Sequence, residues 1–249
     1  MIVAIDGPAG SGKSTTAREV ARRLDFLHVD SGAFYRALTY ALQTAGVPEG
    51  SWDELTSEDL DRLAVRGERG ESGMRLRARG AVVDRELRTP EVNAHVSHVA
   101  RIPAVRSWLL GRLRALAEND DVVADGRDIG TVVFPDAALK VFLVADPEVR
   151  ARRRLRDHGA AGADRNVLLA EIERLKNRDR ADSERATAPL RAAEDAVHVD
   201  TTALTFEEQV AAILELVKGR KEEVHGSRVT GHGLRRGGLS GVVGAARGG

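Results

Sequence analysis

The 249 residues carry 38 basic and 38 acidic side chains, 42% apolar residues and no cysteine. That length suits one large domain, or one domain with insertions, and disulfides and thiolate metal sites are excluded. No apolar run approaches the ~20 residues that a bilayer span needs, and zero net charge argues against a dedicated nucleic-acid coat.

The chain opens on Met1-Ile2-Val3-Ala4-Ile5 without a basic leader, which does not read as a signal peptide. A cytoplasmic protein is expected. The basic residues are mostly arginine, with lysine only at 13, 140, 176, 218 and 221. Genomic base composition explains most of these arginines, and only those inside a motif are given a role.

Short apolar runs at Ile2–Ile5, Phe26–Val29, Val122–Ala124, Leu139–Ala145 and Ala196–Val199 read as buried strands. Most are followed by a helical pattern, which implies a parallel sheet covered on both faces. The first run enters a Gly-rich turn and then a helix expected over Thr15–Leu24. Between Leu63 and Leu87, glycines at 67, 70, 73 and 80 separate short alternating segments, so a small antiparallel insertion is predicted. Pro103 opens a helix whose stripe of Val105, Trp108, Leu109, Leu113 and Leu116 belongs to the core. Thr205 and Glu208 form a capping-box pattern before the last helix, and Gly219 is expected to stop it. Residues 219–249 are rich in glycine and arginine and are expected to be a disordered tail. Nucleic-acid binding by that tail is the lesser alternative.

Gly7-Pro8-Ala9-Gly10-Ser11-Gly12-Lys13-Ser14 fits G-x-x-x-x-G-K-[ST] in full, between a strand and a helix. Glycines let successive N–H groups turn inward toward phosphate oxygens, and the helix N-terminus adds its positive dipole end. Lys13 is expected to reach the β- and γ-phosphates and Ser14 to bind Mg²⁺, with Thr15 closing the loop. The pattern specifies nucleotide binding, not a reaction. A guanine-nucleotide switch would need Asn-Lys-x-Asp, whereas Lys176-Asn177-Arg178-Asp179 has another order.

Arginines favour phosphoryl transfer. Arg150, Arg152, Arg153, Arg154 and Arg156 follow the fourth strand, where a lid could bring positive charge to a transferring phosphate. A solvated helix face is the alternative for any one of them. Arg178, Arg180 and Arg185 form a second set around Asp179 and Asp182. Arg178 and Asp182 would share a helix face, as a surface ion pair if nothing more.

Several stretches then resemble the bacterial cytidylate kinase family of P-loop nucleoside monophosphate kinases. They are Ile5-Asp6-Gly7-Pro8, Asp30–Arg36 (DSGAFYR), Arg88–Val92 (RTPEV), Asp125–Pro135 (DGRDIGTVVFP) and Arg185–Leu190 (RATAPL). They stand in the family's order and the resemblance covers roughly residues 1–218. It implies transfer of the γ-phosphate of ATP to CMP or dCMP, with Mg²⁺. ATP and CMP or dCMP would be the partners, and a monomer is expected. The alternatives are another small-molecule kinase, acting on uridylate or shikimate, and a non-enzymatic nucleotide-binding protein.

The resemblance also implies roles. Ser31, Arg36 and Arg127 would hold the acceptor phosphate. Ser97, Arg106 and Asp128 would read cytosine, whose amino group donates to a carboxylate while its ring acceptors take a guanidinium. Arg178 and Asp182 would hold ribose hydroxyls, with Arg185 at the base or phosphates. Lys13, Arg153, Arg154 and Arg178 are the expected catalytic set, and Ser14 with Asp125 the metal set. Taken singly, Ser31 could be a helix cap, Asp128 a turn residue and Asp125 a capping carboxylate. The expected architecture is a three-layer α/β P-loop kinase with a five-stranded parallel sheet. Its monophosphate-binding region (31–118) holds the small antiparallel sheet, and an Arg-rich lid spans 150–166.

Overall fold

The computed structural model describes residues 1–70 and 73–230, with 223–230 described by backbone alone. Five strands form one parallel sheet: β1 (Ile2–Asp6), β2 (Leu27–Asp30), β6 (Val122–Gly126), β7 (Leu139–Val144) and β8 (Val197–Asp200), in the order β2-β6-β1-β7-β8. Central strands of such a sheet are covered on both faces, so they are apolar without alternation. Val3, Ala4 and Ile5 of β1 are accordingly all fully buried.

The side chains of the sheet divide between two helical layers. Val3, Ile5, Val123 and Val141 pack with Ala17 and Val20 of α1 (Lys13–Leu24) and with Val210, Ile213 and Val217 of α8 (Phe206–Thr230). On the other face, Ala4, Val122 and Ala124 meet Phe34, Leu38 and Leu42 of α2 (Ser31–Thr44) and Val105 and Leu109 of α5 (Pro103–Ala115). Trp108 and Leu113 of α5 are buried in the same core, and Leu116 packs against it, as the stripe predicts.

The insertion folds as an antiparallel sheet, with β3 (Arg66–Gly70), β4 (Gly73–Ala78) and β5 (Ala81–Val83) in sequence order. Its Leu76, Ala78 and Val83 join the α2 core. Between it and α5 lies α4 (Pro90–Val99), capped by Thr89, whose Oγ1 accepts from the Val92 N–H. Helix α3 (Ser57–Arg62) starts at a capping box of Thr56 and Asp59. The expected lid, residues 150–166, takes in most of α6 (Pro147–Asp157), a turn and the start of α7 (Arg165–Ser183).

One boundary differs from expectation. The Thr205–Glu208 box forms, with Thr205 N–H donating to Glu208 Oε2 at 2.8 Å. The helix it starts, however, runs through Gly219 to Thr230, so residues 219–230 are not a tail. Glycine costs about 1 kcal/mol inside a helix, and a contact made beyond it is Lys221 over the Phe26 ring at 5.0 Å. The remainder of the expected tail, 231–249, lies outside the described residues. A Cβ added at Gly219 would meet nothing within 4 Å. Gly219→Ala is therefore expected to raise stability by about 0.5–1 kcal/mol in urea unfolding. A loss of stability would contradict a helix at this position.

Candidate active site

The carboxyl ends of β1, β2 and β6 form one edge of the sheet, and the chain reverses direction about β6, where open α/β sheets bind ligands. The phosphate loop leaves β1 there. A Cβ at Gly7 would overlap the Leu143 carbonyl oxygen, so only glycine lets the loop pass β7. Gly12 takes φ +89° and starts α1, turning the first free N–H groups of the helix toward the loop. Lys13 is buried, with Nζ 3.1 Å from the Pro8 carbonyl. Burial, reinforced by Arg127 and Arg178 and opposed by Asp125, pushes its ammonium down to about 7. Thr15 stays exposed and donates to the Gly12 carbonyl at 2.8 Å.

Ser14 Oγ donates to Asp125 Oδ2, and His28 Nε2 lies 2.8 Å from Asp125 Oδ1. Burial works against the charge on Asp125, but the bonds from His28 and Ser14, with Lys13 nearby, hold its carboxyl below the usual range. Ser31 donates to the Asp125 carbonyl at 2.9 Å, while Asp30 Oδ1 accepts from the Ala33 N–H and caps α2. The cap is thus Asp30, which leaves Ser31 facing the edge of β6. Burial and the neighbouring Asp125 raise the Asp30 carboxyl.

Across the cleft, Arg106 and Asp128 form a buried ion pair. Arg106 also donates to the Ala100 carbonyl at 3.0 Å, and its guanidinium lies 5.7 Å from the Tyr35 ring centroid. Burial raises the Asp128 carboxyl, against the pull of Arg106, Arg185 and Arg127. Arg127 Nε donates to Asp182 Oδ2 at 2.9 Å, and Arg185 Nε to the Asp182 carbonyl at 3.1 Å. Arg185 also lines a cleft of about 430 Å³ with Arg101, Pro103, Glu184 and Thr187.

Four guanidinium groups crowd this space. Burial, with Arg127 and Arg36, pushes Arg178 down to about 9. Burial, with repulsion from Arg154, Arg88 and Arg127 and relief from Asp30, pushes Arg36 down to about 10. Arg154 is lowered by burial, with Arg174 and Arg127, although Glu171 lies 3.1 Å away. Arg178 Nε and Arg185 Nη2 are buried without a hydrogen-bond partner. Buried donors left unpaired are costly, and an anion entering this space would satisfy them.

Not every expected residue gathers here. Arg153, in the expected catalytic set, donates instead to the Thr201 carbonyl at 2.6 Å and Thr201 Oγ1 at 3.0 Å, with the Ser11 carbonyl at 3.4 Å. Successive helical residues point about 100° apart, so Arg153 and Arg154 leave α6 in different directions. Ser97 is half-buried on α4 and forms no hydrogen bond with Arg106 or Asp128. Arg150, read with the lid arginines, pairs with Asp179 and donates to the Ala9 carbonyl at 3.0 Å.

Sequence reasoning missed four contributors. His28 orients Asp125, and Asn93 accepts from Arg36 at 2.5 Å. Asp179 accepts from the Ala9 N–H at 3.0 Å. Asp6 accepts from the Ile129 and Gly130 N–H groups at 2.8 and 2.7 Å. Burial pushes the Asp6 carboxyl up to about 6 against those two bonds. The only sequence signal was position: Asp6 and Asp179 both stand beside motif residues. Asp179→Ala would strip the Ala9 N–H and leave Arg150 buried without its carboxylate. A loss of about 3 kcal/mol in urea unfolding is expected. A change under ~1 kcal/mol would show that this clamp contributes little.

Comparison with known proteins agrees with the geometry. A family profile described as Cytidylate kinase matches residues 3–219. The cytidylate kinase of Geobacillus thermodenitrificans is 46% identical over 222 residues, covering 88% of this chain and 96% of that one. That of Exiguobacterium sibiricum is 45% identical over 217 residues, covering 87% and 96%. A bifunctional pantoate ligase/cytidylate kinase of Synechococcus elongatus is 44% identical over 224 residues, covering 88% of this chain and 42% of its own length. With a Gly-rich loop on one side of a buried arginine cluster and the Arg106–Asp128 pair on the other, this chain belongs to the cytidylate kinase family.

Proposed function

We propose that the protein transfers the γ-phosphate of ATP to CMP or dCMP, releasing ADP and CDP or dCDP. The observation that carries this reading is the shared space of Arg36, Arg127, Arg154 and Arg178. It lies between Lys13 of the phosphate loop and the Arg106–Asp128 pair, and it holds more guanidinium than carboxylate. Two phosphorylated ligands meeting end to end would fill it.

In this reading the loop residues Gly7–Thr15 hold the triphosphate, and Lys13, Arg154 and Arg178 carry the charge that spreads over the transferring group. Arg153 serves by fixing the loop to Thr201. Ser31, Arg36 and Arg127 hold the acceptor phosphate, Arg178 and Asp182 the ribose, and Arg185 the entrance to the base site. Asp128 accepts from the cytosine amino group and Arg106 donates to the ring acceptors, with Ser97 at the rim. The acceptor oxygen is already largely ionised near neutral pH, so no general base is required. The protein contributes alignment and preorganised positive charge.

Ser14 and Asp125 present hard oxygen donors beside the loop, which is the donor type Mg²⁺ takes when most of its shell comes from phosphate and water. When bound, Mg²⁺ would offset negative charge on the β- and γ-phosphates. Among the described residues no helix is long and apolar enough to cross a membrane.

A coupled ADP-release assay with CMP, dCMP, UMP, AMP and shikimate tests the assignment. CMP or dCMP is expected to exceed the others in kcat/KM by ~100-fold or more, because a site of buried polar groups rejects a mismatched edge. Equal use of UMP or shikimate would overturn it. Asp128→Ala is expected to lower kcat/KM for CMP by about 100-fold and leave the KM for ATP nearly unchanged. Equal losses for both substrates would remove Asp128 from the reading of the base.

A further inference from the structure

Asp6 is the last residue of β1, and the phosphate loop begins at the next position. Its side chain is 4% exposed, and it does not point into the loop. Instead, both of its oxygens accept from the first N–H groups of a π-helical turn, Ile129–Val133, which directly follows Arg127 and Asp128. The opening N–H groups of any helical turn lack partners within the turn. Here a carboxylate 123 and 124 residues away in sequence supplies both. The turn closes on the Asp128 carbonyl, which accepts from Val132 at 2.9 Å and Val133 at 3.1 Å. Gly130 completes the fit, because a Cβ there would stand 3.2 Å from Lys140 Cδ and 3.4 Å from Asp6 Oδ2.

We infer that Asp6 is a positioning residue for acceptor recognition, holding the Arg127–Asp128 turn in register with the phosphate loop. Asp128 enters the turn with φ −144°, and from that backbone position its carboxylate reaches Arg106. Arg127, one residue earlier, reaches Asp182. The base-reading pair and the acceptor-phosphate arginine thus hang from one short segment, and that segment is tied to the residue preceding Gly7. Through Asp6 the donor loop and the acceptor pocket share a single fixed point. An asparagine could accept one of the two N–H groups, but its own amide would face the other, donor against donor.

The inference rests on the cytidylate reading of Asp128. Its test is Asp6→Asn, with steady-state kinetics for CMP and UMP, equilibrium binding of ATP, and the same substitution placed on an Asp128→Ala background. The expected result is a rise of about tenfold in the KM for CMP and a fall in CMP-over-UMP selectivity, with ATP affinity changed less than about threefold. On the Asp128→Ala background, Asp6→Asn should no longer change CMP-over-UMP selectivity and should add only the part of the CMP loss that passes through Arg127, since the base is read through Asp128. Lowered thermal stability with acceptor KM and selectivity unchanged would overturn the inference. So would equal loss of ATP and CMP affinity, or full additivity with Asp128→Ala. If Asp6→Asn does not fold, Asp6→Glu is read in its place, because it keeps both carboxylate oxygens but carries them one methylene further, displacing the Ile129 and Gly130 N–H groups they hold. A rise of about threefold or more in acceptor KM then supports the inference, and an unchanged value overturns it. A wild-type enzyme that leaves CMP untouched overturns the cytidylate reading and this inference together. A wild-type enzyme that uses CMP, beside an unaffected Asp6→Asn, overturns the inference alone.

Discussion

In the parallel pairing of β1 with β6, Asp6 lies opposite Gly126, and in that of β2 with β6, Asp30 lies opposite Asp125. This register brings three carboxylates to one sheet edge within a strand spacing or two of each other. Like charges at that separation do not coexist without compensation. Asp6 is compensated by two backbone N–H groups, Asp30 by the α2 N-terminus, and Asp125 by His28, Ser14 and Lys13. Each solution also places something chemical. The Asp6 bonds shape the turn that carries Asp128. The Asp30 cap sets the start of α2 and so the direction of Ser31. The Asp125 contacts hold its carboxylate beside Ser14 and His28. A slip of one residue in the β1–β6 pairing would turn Asp6 to the opposite face, and a slip in the β2–β6 pairing would do the same to Asp30.

The opposite wall has the opposite sign. Arg36, Arg127, Arg154, Arg178 and Arg185 reach one space from α2, the β6 turn, α6, α7 and the segment after α7. Burial, with their like charges, lowers the basicity of Arg36, Arg154, Arg178 and Arg185 there. Arg150 and Asp179 pin the start of α6 and the last turns of α7 to Ala9.

Elements whose signal is local were legible in the sequence. The loop, the Thr205 cap and the apolar strand runs could be read in place, the strands to within a residue or two. So could the antiparallel insertion. Asp128 lies in a distinctive stretch and Arg106 in a less distinctive one, and the structure joins the two in a buried ion pair. What escaped depends on direction or on distance along the chain. Adjacent arginines on α6 cannot be assigned to faces from sequence, and the structure turns Arg153 to Thr201, Arg154 toward Glu171 and Arg150 to Asp179. Asp6 stood within a quoted stretch, but its partners come more than a hundred residues later. Gly219 reads as a stop, but the helix continues past it, with Lys221 reaching the Phe26 ring.

The continuation of α8 decides where the chain departs. Lys221 packs over the Phe26 ring at 5.0 Å, beside the start of β2, so this end of the helix lies at the amino edge of the sheet, opposite the catalytic edge. From Gly219 to Thr230 the helix advances about 16 Å further at its normal rise. An affinity tag, dye or surface tether placed after Thr230 would therefore leave from the far pole of the molecule and keep clear of both nucleotide entrances.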